Sequence, residues 1–506
     1  MGPSYLRALA DAVTVLADAL TFLPPLLASF LVAVALVPVS RLIAFRSGMV
    51  AHPRNDRWHR GTIPLLGGLA IAGGMAIGSQ ITGVAVLIAV PLATAMFMSA
   101  VGLVDDVLAL KPSTKLIAQI AAASVLVYFD YRLNWIDSRL LDSVLTMVWV
   151  IGLTNAFNLL DNMDGLCAGT ALIVSVMMIV SLGTGPAAER AGAQILFLAL
   201  LAGATAGFLV YNFPPASIFM GDCGSLLLGF SLAMLTLGQE GVRGSRADVL
   251  SAIAGPVFVL LIPIFDTTLV TIARLAAGRS PAMGGRDHSS HRLVAIGLSE
   301  RKAVAILWAL AAAGGLIAVL VRNLQDGRSL AVAALYIVAM GLFAVYLLRV
   351  RVYDETQVNL TRVTPLFGEF MYKRRILEVV TDGVLASAAF YLANRRLFPP
   401  EDYLRNSENF YQALPIAMAA QLIAFFIVGF YREQWQYRGR WREFLRLWWG
   451  VTLGATSALI FTIVILQYYP RSVAVFLLHA VLLLGMITFA RAMFFAIDRY
   501  VQPSRE

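Results

Sequence analysis

A few carboxylates, amides and imidazoles carry the chemistry of this sequence, and all of them stand in apolar surroundings. Asp105 and Asp106 are adjacent, following Gly102-Leu103-Val104. Neighbouring residues on a helix point about 100 degrees apart, so the pair can turn one carboxylate toward a cation and the other toward a reacting group. An ordinary capping pair at a helix start is the plainer alternative. Asn155, Asn158, Asp161 and Asp164 recur every three residues, which on a helix places two amides and two carboxylates on one broad face. Such a face suits a nucleobase and ribose pocket or the outer shell of a cation; a simple Asp-Asn and Asp-Gly turn is the competing reading. Asp222 follows Pro214-Pro215 and lies between Gly221 and Gly224, where backbone can approach a ligand closely. It is a candidate for direct Mg2+ ligation with Asp106 beside it, phosphate and water completing the octahedron; Mn2+ could replace the ion. Arg286, His288, His291 and Arg292 form a basic loop suited to clamping a diphosphate. Zinc is disfavoured there because no Cys or third clustered His completes a site.

The elements that must hold these groups are read from the composition. Of 506 residues, 59% are hydrophobic and only 14% charged, which cannot cover a water-facing globule. Apolar runs of spanning length recur, among them Phe22–Val39, Gly83–Met98, Ala303–Val321 and Trp449–Leu466. The expected fold is an all-alpha polytopic membrane protein, with about 11 transmembrane helices in a core over 1–350 and about 4 more in 376–506, joined by a basic linker at 351–375. The net charge of +9 comes from arginines between apolar runs, not from a folded basic face, so nucleic acid is not an expected partner. Cys167 and Cys223 lie in or beside apolar runs and read as small buried side chains.

Arg41, Arg46, Arg54, Arg57 and Arg60 crowd one connection, and Arg274, Arg279, Arg286, Arg292, Arg301 and Lys302 another on the same side. The positive-inside rule makes that side cytoplasmic, with the amino terminus outside and the carboxyl terminus inside. Asp105, Asp106, Asp161, Asp164, Asp222, Asp266 and Asp287 then all fall at cytoplasmic helix ends or connections. Carboxylates in so apolar a chain are costly unless solvated, paired or bound to a cation.

Five ordered segments, Pro53 through Gly68, Gly102 through Gln119, Asn155 through Gly165, Asn212 through Ser225 and Asp287 through Leu293, resemble the polyprenyl-phosphate N-acetylhexosamine-1-phosphate transferase family. The resemblance covers residues 1 to about 350. It implies a bacterial plasma-membrane enzyme that moves a sugar 1-phosphate from a UDP-N-acetylhexosamine to a polyprenyl phosphate, releases UMP and starts lipid-linked glycan synthesis. It further implies Asp105, Asp106 and Asp222 as the catalytic and magnesium carboxylates, Lys115 as the family's downstream lysine, and Asn155, Asn158, Asp161 and Asp164 as the nucleotide side. The histidine loop corresponds to His288 through His291.

Two positions depart from the family pattern. Asn162 replaces the first glycine of Asp-Gly-x-Asp-Gly, and Ser290 stands where the second of three histidines would be. The degenerate histidine pattern favours N-acetylglucosamine or another N-acetylhexosamine over the cell-wall pentapeptide donor. In the last four spans Lys373-Arg374-Arg375, Asp382-Gly383, Asn394-Arg395-Arg396-Leu397-Phe398 and Gly429-Phe430-Tyr431-Arg432 resemble the membrane portion ahead of nucleotide-sugar epimerases and dehydratases, with no Rossmann fingerprint following. Docking of downstream glycan enzymes, or formation of a homodimer, is the expected role of this region. Membrane lipids and the two substrates are the partners implied, with Mg2+ as the cofactor. A secondary transporter or a silent scaffold are the competing classes, but a transporter's carboxylates belong near the midplane on broken helices, not clustered toward one side.

Overall fold

A computed structural model of the chain describes residues 3–51, 62–136, 138–184, 191–237, 246–277, 279, 285–324, 327–350, 352, 374–398, 413–414, 417–418, 420–425, 427–430, 441–466 and 472–501. Residues 53–61 of the first signature, most of the linker, and Trp435 and Tyr437 of the tail lie outside them. Among the described residues the protein is all-alpha apart from one short ribbon, β1 (Val50–Ala51) and β2 (Ile63–Pro64), paired antiparallel with Val50 opposite Pro64. Among the described residues nine helices are long and apolar enough to cross a membrane, or ten with one bent pair counted as a span. It is a multi-span membrane protein.

The chain divides into two compact units, residues 1–275, 279–325 and 350–358 in the first and 276–278, 326–349 and 359–506 in the second. The first contains α1 (Pro3–Ser47), α2 (Gly67–Ile81), α3 (Ala89–Leu108), α4 (Pro112–Tyr128), α5 (Arg139–Leu160), α6 (Leu166–Gly183) and α7 (Gly192–Asn212). It continues through α8 (Gly221–Leu235), α9 (Arg246–Val259), α10 (Leu261–Ala276), α11 (Ser289–Ala295) and α12 (Glu300–Leu324). The short helix α8 is packed against α3, α5 and α2, and Cys223 through Leu235 along it are buried. It carries almost no polar face, as a helix surrounded by other helices requires.

Two glycines let α8 come this close. A Cβ on Gly102 of α3 would lie 2.2 Å from the carbonyl oxygen of Asp222, and one on Gly68 of α2 would lie 2.2 Å from the nitrogen of Gly224. Backbone-to-backbone approach of this kind is how membrane helices pack without a hydrophobic driving force between them. Residues 64–68 also bond to the segment before α8: Phe219 N–H donates to Pro64 O, and the N–H groups of Gly67 and Gly68 donate to Phe219 O and Met220 O.

The third helix runs from Ala89 to Leu108, so Asp105 and Asp106 sit in its last turn, and the alternative of a capping pair that starts the next helix is not what forms. Two features differ from the expected spans. The ninth span is broken into α9 and α10, bent by 73°. Helix α5 stops at Leu160 with Asp161 as its C-cap, so Asp161 and Asp164 do not continue the helical face of Asn155 and Asn158.

The second unit contains α13 (Gly327–Leu348) and the helices Arg374–Leu397, Trp441–Leu466 and Ser472–Val501. Its core includes Leu385, Ala389, Phe425, Phe430, Leu447, Val451, Leu483 and Ile487. Asp382 and Arg491 are buried in it as an ion pair at 2.6 Å, and the Arg491 guanidinium carbon lies 5.3 Å from the centre of the Phe430 ring.

Candidate active site

The site is assembled where α3, α4, α5 and α8 end. Asp105 accepts the backbone N–H of Leu110 at 2.7 Å; Ala109, in the left-handed region at φ 49°, turns the chain sharply enough for that bond. The other Asp105 oxygen takes the Lys115 ammonium from the first turn of α4 at 2.7 Å. Lys115 also reaches Asp222 Oδ2 at 3.2 Å, so one cation lies between two carboxylates from different helices. Asn158, from α5, donates to Asp222 Oδ1 and to Ser225 Oγ, each at 2.9 Å. The Asp222 side chain keeps 28% of its surface exposed and that of Asp105 only 7%, which makes Asp222 the carboxylate that an incoming ligand meets.

Asp106 stands differently from its neighbour. Its two oxygens accept the backbone N–H groups of Asp222 and Cys223 at 2.8 and 3.0 Å. It therefore caps the N-terminus of α8, a favourable place for negative charge, and fixes where Asp222 begins. Gly221, at φ 72°, makes the turn into that cap, and a Cβ there would lie 2.6 Å from Asp106 Oδ2.

The amides divide their work. Asn155 exchanges hydrogen bonds with Gln119 of α4, at 3.3 and 3.1 Å, while Asn158 faces Asp222. Asp164 accepts the N–H of Ala216 at 2.8 Å, tying the α5–α6 turn to the approach to α8. Gln119 and Ser225 complete these networks. Both lie inside the signatures, but a lone amide and a lone hydroxyl carry no spacing signal by which to find them.

The histidine loop is bonded to α10 and to the turn after α5. Buried Asp266 of α10 accepts from His288 Nδ1 at 2.8 Å, Ser289 N–H at 2.7 Å and Ser289 Oγ at 2.6 Å. Asp287 is paired with Arg274 at 3.1 Å and Arg279 at 2.5 Å. Burial pushes the Asp287 carboxyl up, but the two guanidinium groups outweigh it and hold it below the usual carboxylate range. Arg292 donates to the carbonyls of Asp287 and Val350, so it braces the loop from within. Burial lowers the pKa of His291 to about 4, leaving its ring neutral near pH 7, able to hydrogen-bond but not to supply charge. Arg286 is partly exposed just before these residues. Ser290 Oγ donates to Asn162 Oδ1 at 2.5 Å, which joins the loop to the end of α5. Asp266 was expected at a helix end or connection but stands within α10, and its partners could not be read from spacing.

No group of three or more His, Cys, Asp or Glu set around one point occurs among the described residues. Asp105 and Asp222, drawn together about Lys115, are nevertheless hard oxygen donors of the kind Mg2+ takes one or two of, leaving its other positions to phosphate and water. The donor set fits such an ion bound together with its phosphate ligand.

Glycosyl transferase family 4 matches residues 88–239, which span α3 through α8. A protein of Bacillus subtilis (strain 168) named "Probable undecaprenyl-phosphate N-acetylglucosaminyl 1-phosphate transferase" is 31% identical over 330 residues, 62% of this chain and 89% of its own length. The "Decaprenyl-phosphate N-acetylglucosaminephosphotransferase" of Mycolicibacterium smegmatis is 36% identical over 306 residues, 53% of this chain and 74% of its own. That of Mycobacterium tuberculosis (strain H37Rv) is 33% identical over 340 residues, 60% and 83% respectively. With the ends of four helices converging on one acidic cluster and a relative matched over nearly its full length, the chain belongs to the polyprenyl-phosphate N-acetylhexosamine-1-phosphate transferases.

Proposed function

We propose that this chain transfers N-acetylglucosamine 1-phosphate from its UDP derivative to undecaprenyl or a related polyprenyl phosphate. An oxygen of the acceptor phosphate attacks the sugar-bearing phosphorus, the bond between the two donor phosphates breaks, and UMP leaves. The observation that carries this reading is the meeting of Asp105, Lys115, Asn158 and Asp222 at one point.

Each residue then has a task. Lys115 supplies a cation to the diphosphate, and Asp105, held by Lys115 and Leu110 N–H, orients the acceptor phosphate or takes a proton from it. Asp222 would hold Mg2+ with the aspartate pair beside it. Asp106 is part of that pair in our reading, but its oxygens already serve two N–H groups, which favours Asp105 as the second ligand and Asp106 as the residue that sets Asp222. The ion would neutralise the diphosphate as charge moves onto the leaving UMP. Asn155, Asn158, Asp161 and Asp164 are assigned to the nucleotide, and Arg286, His288, His291 and Arg292 to the phosphate side, with His288 and Arg292 acting largely through the loop they brace.

The membrane arrangement in this proposal keeps the site on the cytoplasmic face of the bacterial inner membrane, amino terminus outside and carboxyl terminus inside, because the basic connections flank it. The shorter apolar helices α2 and α8, together with α4, would count as crossings, giving 11 spans and then 4, the last set an interaction module for downstream enzymes or a second copy. The test is an assay of the purified full chain with a panel of UDP-sugars and a polyprenyl phosphate, measuring UMP and the lipid-diphosphate-sugar together. Equal amounts of both products with the N-acetylglucosamine donor are expected; uptake or efflux of substrate with no lipid product would overturn the reading.

A further inference from the structure

The two positions at which the signatures depart from pattern, Asn162 and Ser290, are far apart in sequence and joined in the fold. Their side chains meet at 2.5 Å, and Ser290 is fully buried. The Asn162 amide is engaged at its other end as well, donating to Leu159 O in the last turn of α5 at 2.9 Å, so its oxygen is turned toward the Ser290 hydroxyl. One residue earlier, Ser289 is bonded twice to Asp266 of α10. The first turn of α11 is thus tied from two directions, to α10 through Asp266 and to the α5–α6 turn through Asn162. A helix of seven residues is too short to hold itself by its own backbone bonds, so these side-chain ties decide where it stands.

We propose that Asn162 and Ser290 act as one positioning unit, a latch whose hydrogen bond fixes the α11 turn bearing His288 and His291 to the turn that follows α5, the helix bearing Asn155 and Asn158. The latch governs the grip on the donor and not on the lipid acceptor; this rests on the transferase reading above. It also accounts for the two departures together. Glycine at 162 has no side chain to meet the serine hydroxyl, and histidine at 290 needs the space that the Asn162 amide fills. Either reversal alone leaves a buried group without its partner or a ring without room, whereas both together remove the latch and its requirements at once.

The test uses the full chain in detergent with Asn162→Gly, Ser290→Ala and Ser290→His, alone and in the combinations N162G/S290A and N162G/S290H. Ser290→Ala is expected to raise KM for the UDP-sugar about tenfold, Asn162→Gly, which also loses the bond to Leu159 O, by at least as much, and N162G/S290A by no more than Asn162→Gly alone, because the bond between the two side chains is lost once. KM for polyprenyl phosphate should stay unchanged, a split that general loosening of the fold would not produce. Ser290→His should be the worst single change, and N162G/S290H should be more active than it. Losses that multiply to about a hundredfold in N162G/S290A, or that fall equally on both substrates, would overturn the latch. Thermal unfolding of the same variants separates the two readings. If the parent protein makes no product, the transferase reading fails, while a midpoint shift in N162G/S290A equal to that of one single change still upholds the latch and additive shifts overturn it.

Discussion

Asp222 is the carboxylate on which most of the chemistry converges, since it is reached by Lys115 and Asn158 and is the more exposed of the facing pair. Replacing Asp222 by Asn keeps its size and can keep the bond from Asn158, but removes the charge and the acceptor that Lys115 uses, so turnover should fall by at least about a hundredfold and the response to added Mg2+ should flatten, with the unfolding midpoint little changed. Wild-type rates and an unaltered metal titration in the folded variant would count against its assignment. His291 allows a second prediction with a definite sign. Its pKa drops from 6.5 to about 4 on folding, chiefly through burial, so as the pH is lowered the unfolded chain takes up the proton first. The contribution to stability is complete above pH 6.5 and is lost progressively as the pH falls through about 4. The unfolding midpoint should therefore decline over that window in the parent protein and decline less in His291→Gln; parallel curves would show that the imidazole is not buried neutral. The residue types were readable before the fold was known, because Asp, Asn and His are rare in apolar chain. What each one touches was not. The division between Asp105, which meets Lys115, and Asp106, which caps α8, depends on a helix that arrives more than a hundred residues later.

At the scale of elements, the site depends on how closely α8 approaches α3 and α2. Gly102→Ala would place a methyl 2.2 Å from Asp222 O, and because the obstacle is backbone, one helix must move. A displacement of about 1 Å at a reacting group can cost on the order of a hundredfold in rate, so Gly102→Ala should nearly abolish turnover while the protein still inserts and purifies. Gly152→Ala is the matched control. That glycine lies on α5 with nothing within 4 Å of its Cβ position, and the substitution should leave the rate unchanged and stabilise the helix by up to about 1 kcal/mol. Loss of activity in both variants, or in neither, would mean that glycine contacts do not set the site. Hydropathy made most of these helices legible, since a spanning run of apolar residues has few other fates. It could not reveal the 73° break between α9 and α10, because the residues on either side are equally apolar, while the end of α5 at Leu160 is the turn that Asp-Asn and Asp-Gly offered as the competing reading. The break matters for function: Asp266 stands in the segment just after it and holds His288 and Ser289.

For the whole molecule, the question is why a chain with a transferase unit carries a second unit at all. Every polar cluster suited to a substrate or a metal described above lies in the first unit, whereas the core of the second is apolar around the buried Asp382–Arg491 pair. Removing one partner of such a pair leaves a buried charge uncompensated and costs about 3–5 kcal/mol, so Asp382→Asn should unfold or loosen the second unit. If that unit serves for interaction and not for chemistry, the same variant should keep its transferase rate within about twofold of the parent once purified, a change no larger than substitutions away from a site usually bring. Truncation after Val352 asks the question more severely. It retains Val350, whose carbonyl accepts from Arg292 at 2.9 Å and so belongs with the histidine loop, and it removes the helices Arg374–Leu397, Trp441–Leu466 and Ser472–Val501. It also strips α13 of its contacts with the first of these, so some loss of stability is expected and the folded state must be checked by gel filtration in detergent. Turnover in the monodisperse truncated protein is the expected outcome, together with a smaller particle if the tail joins two copies. A folded truncation that makes no lipid-diphosphate-sugar, and recovers only when the missing segment is supplied as a separate chain, would place part of the catalytic machinery in the second unit.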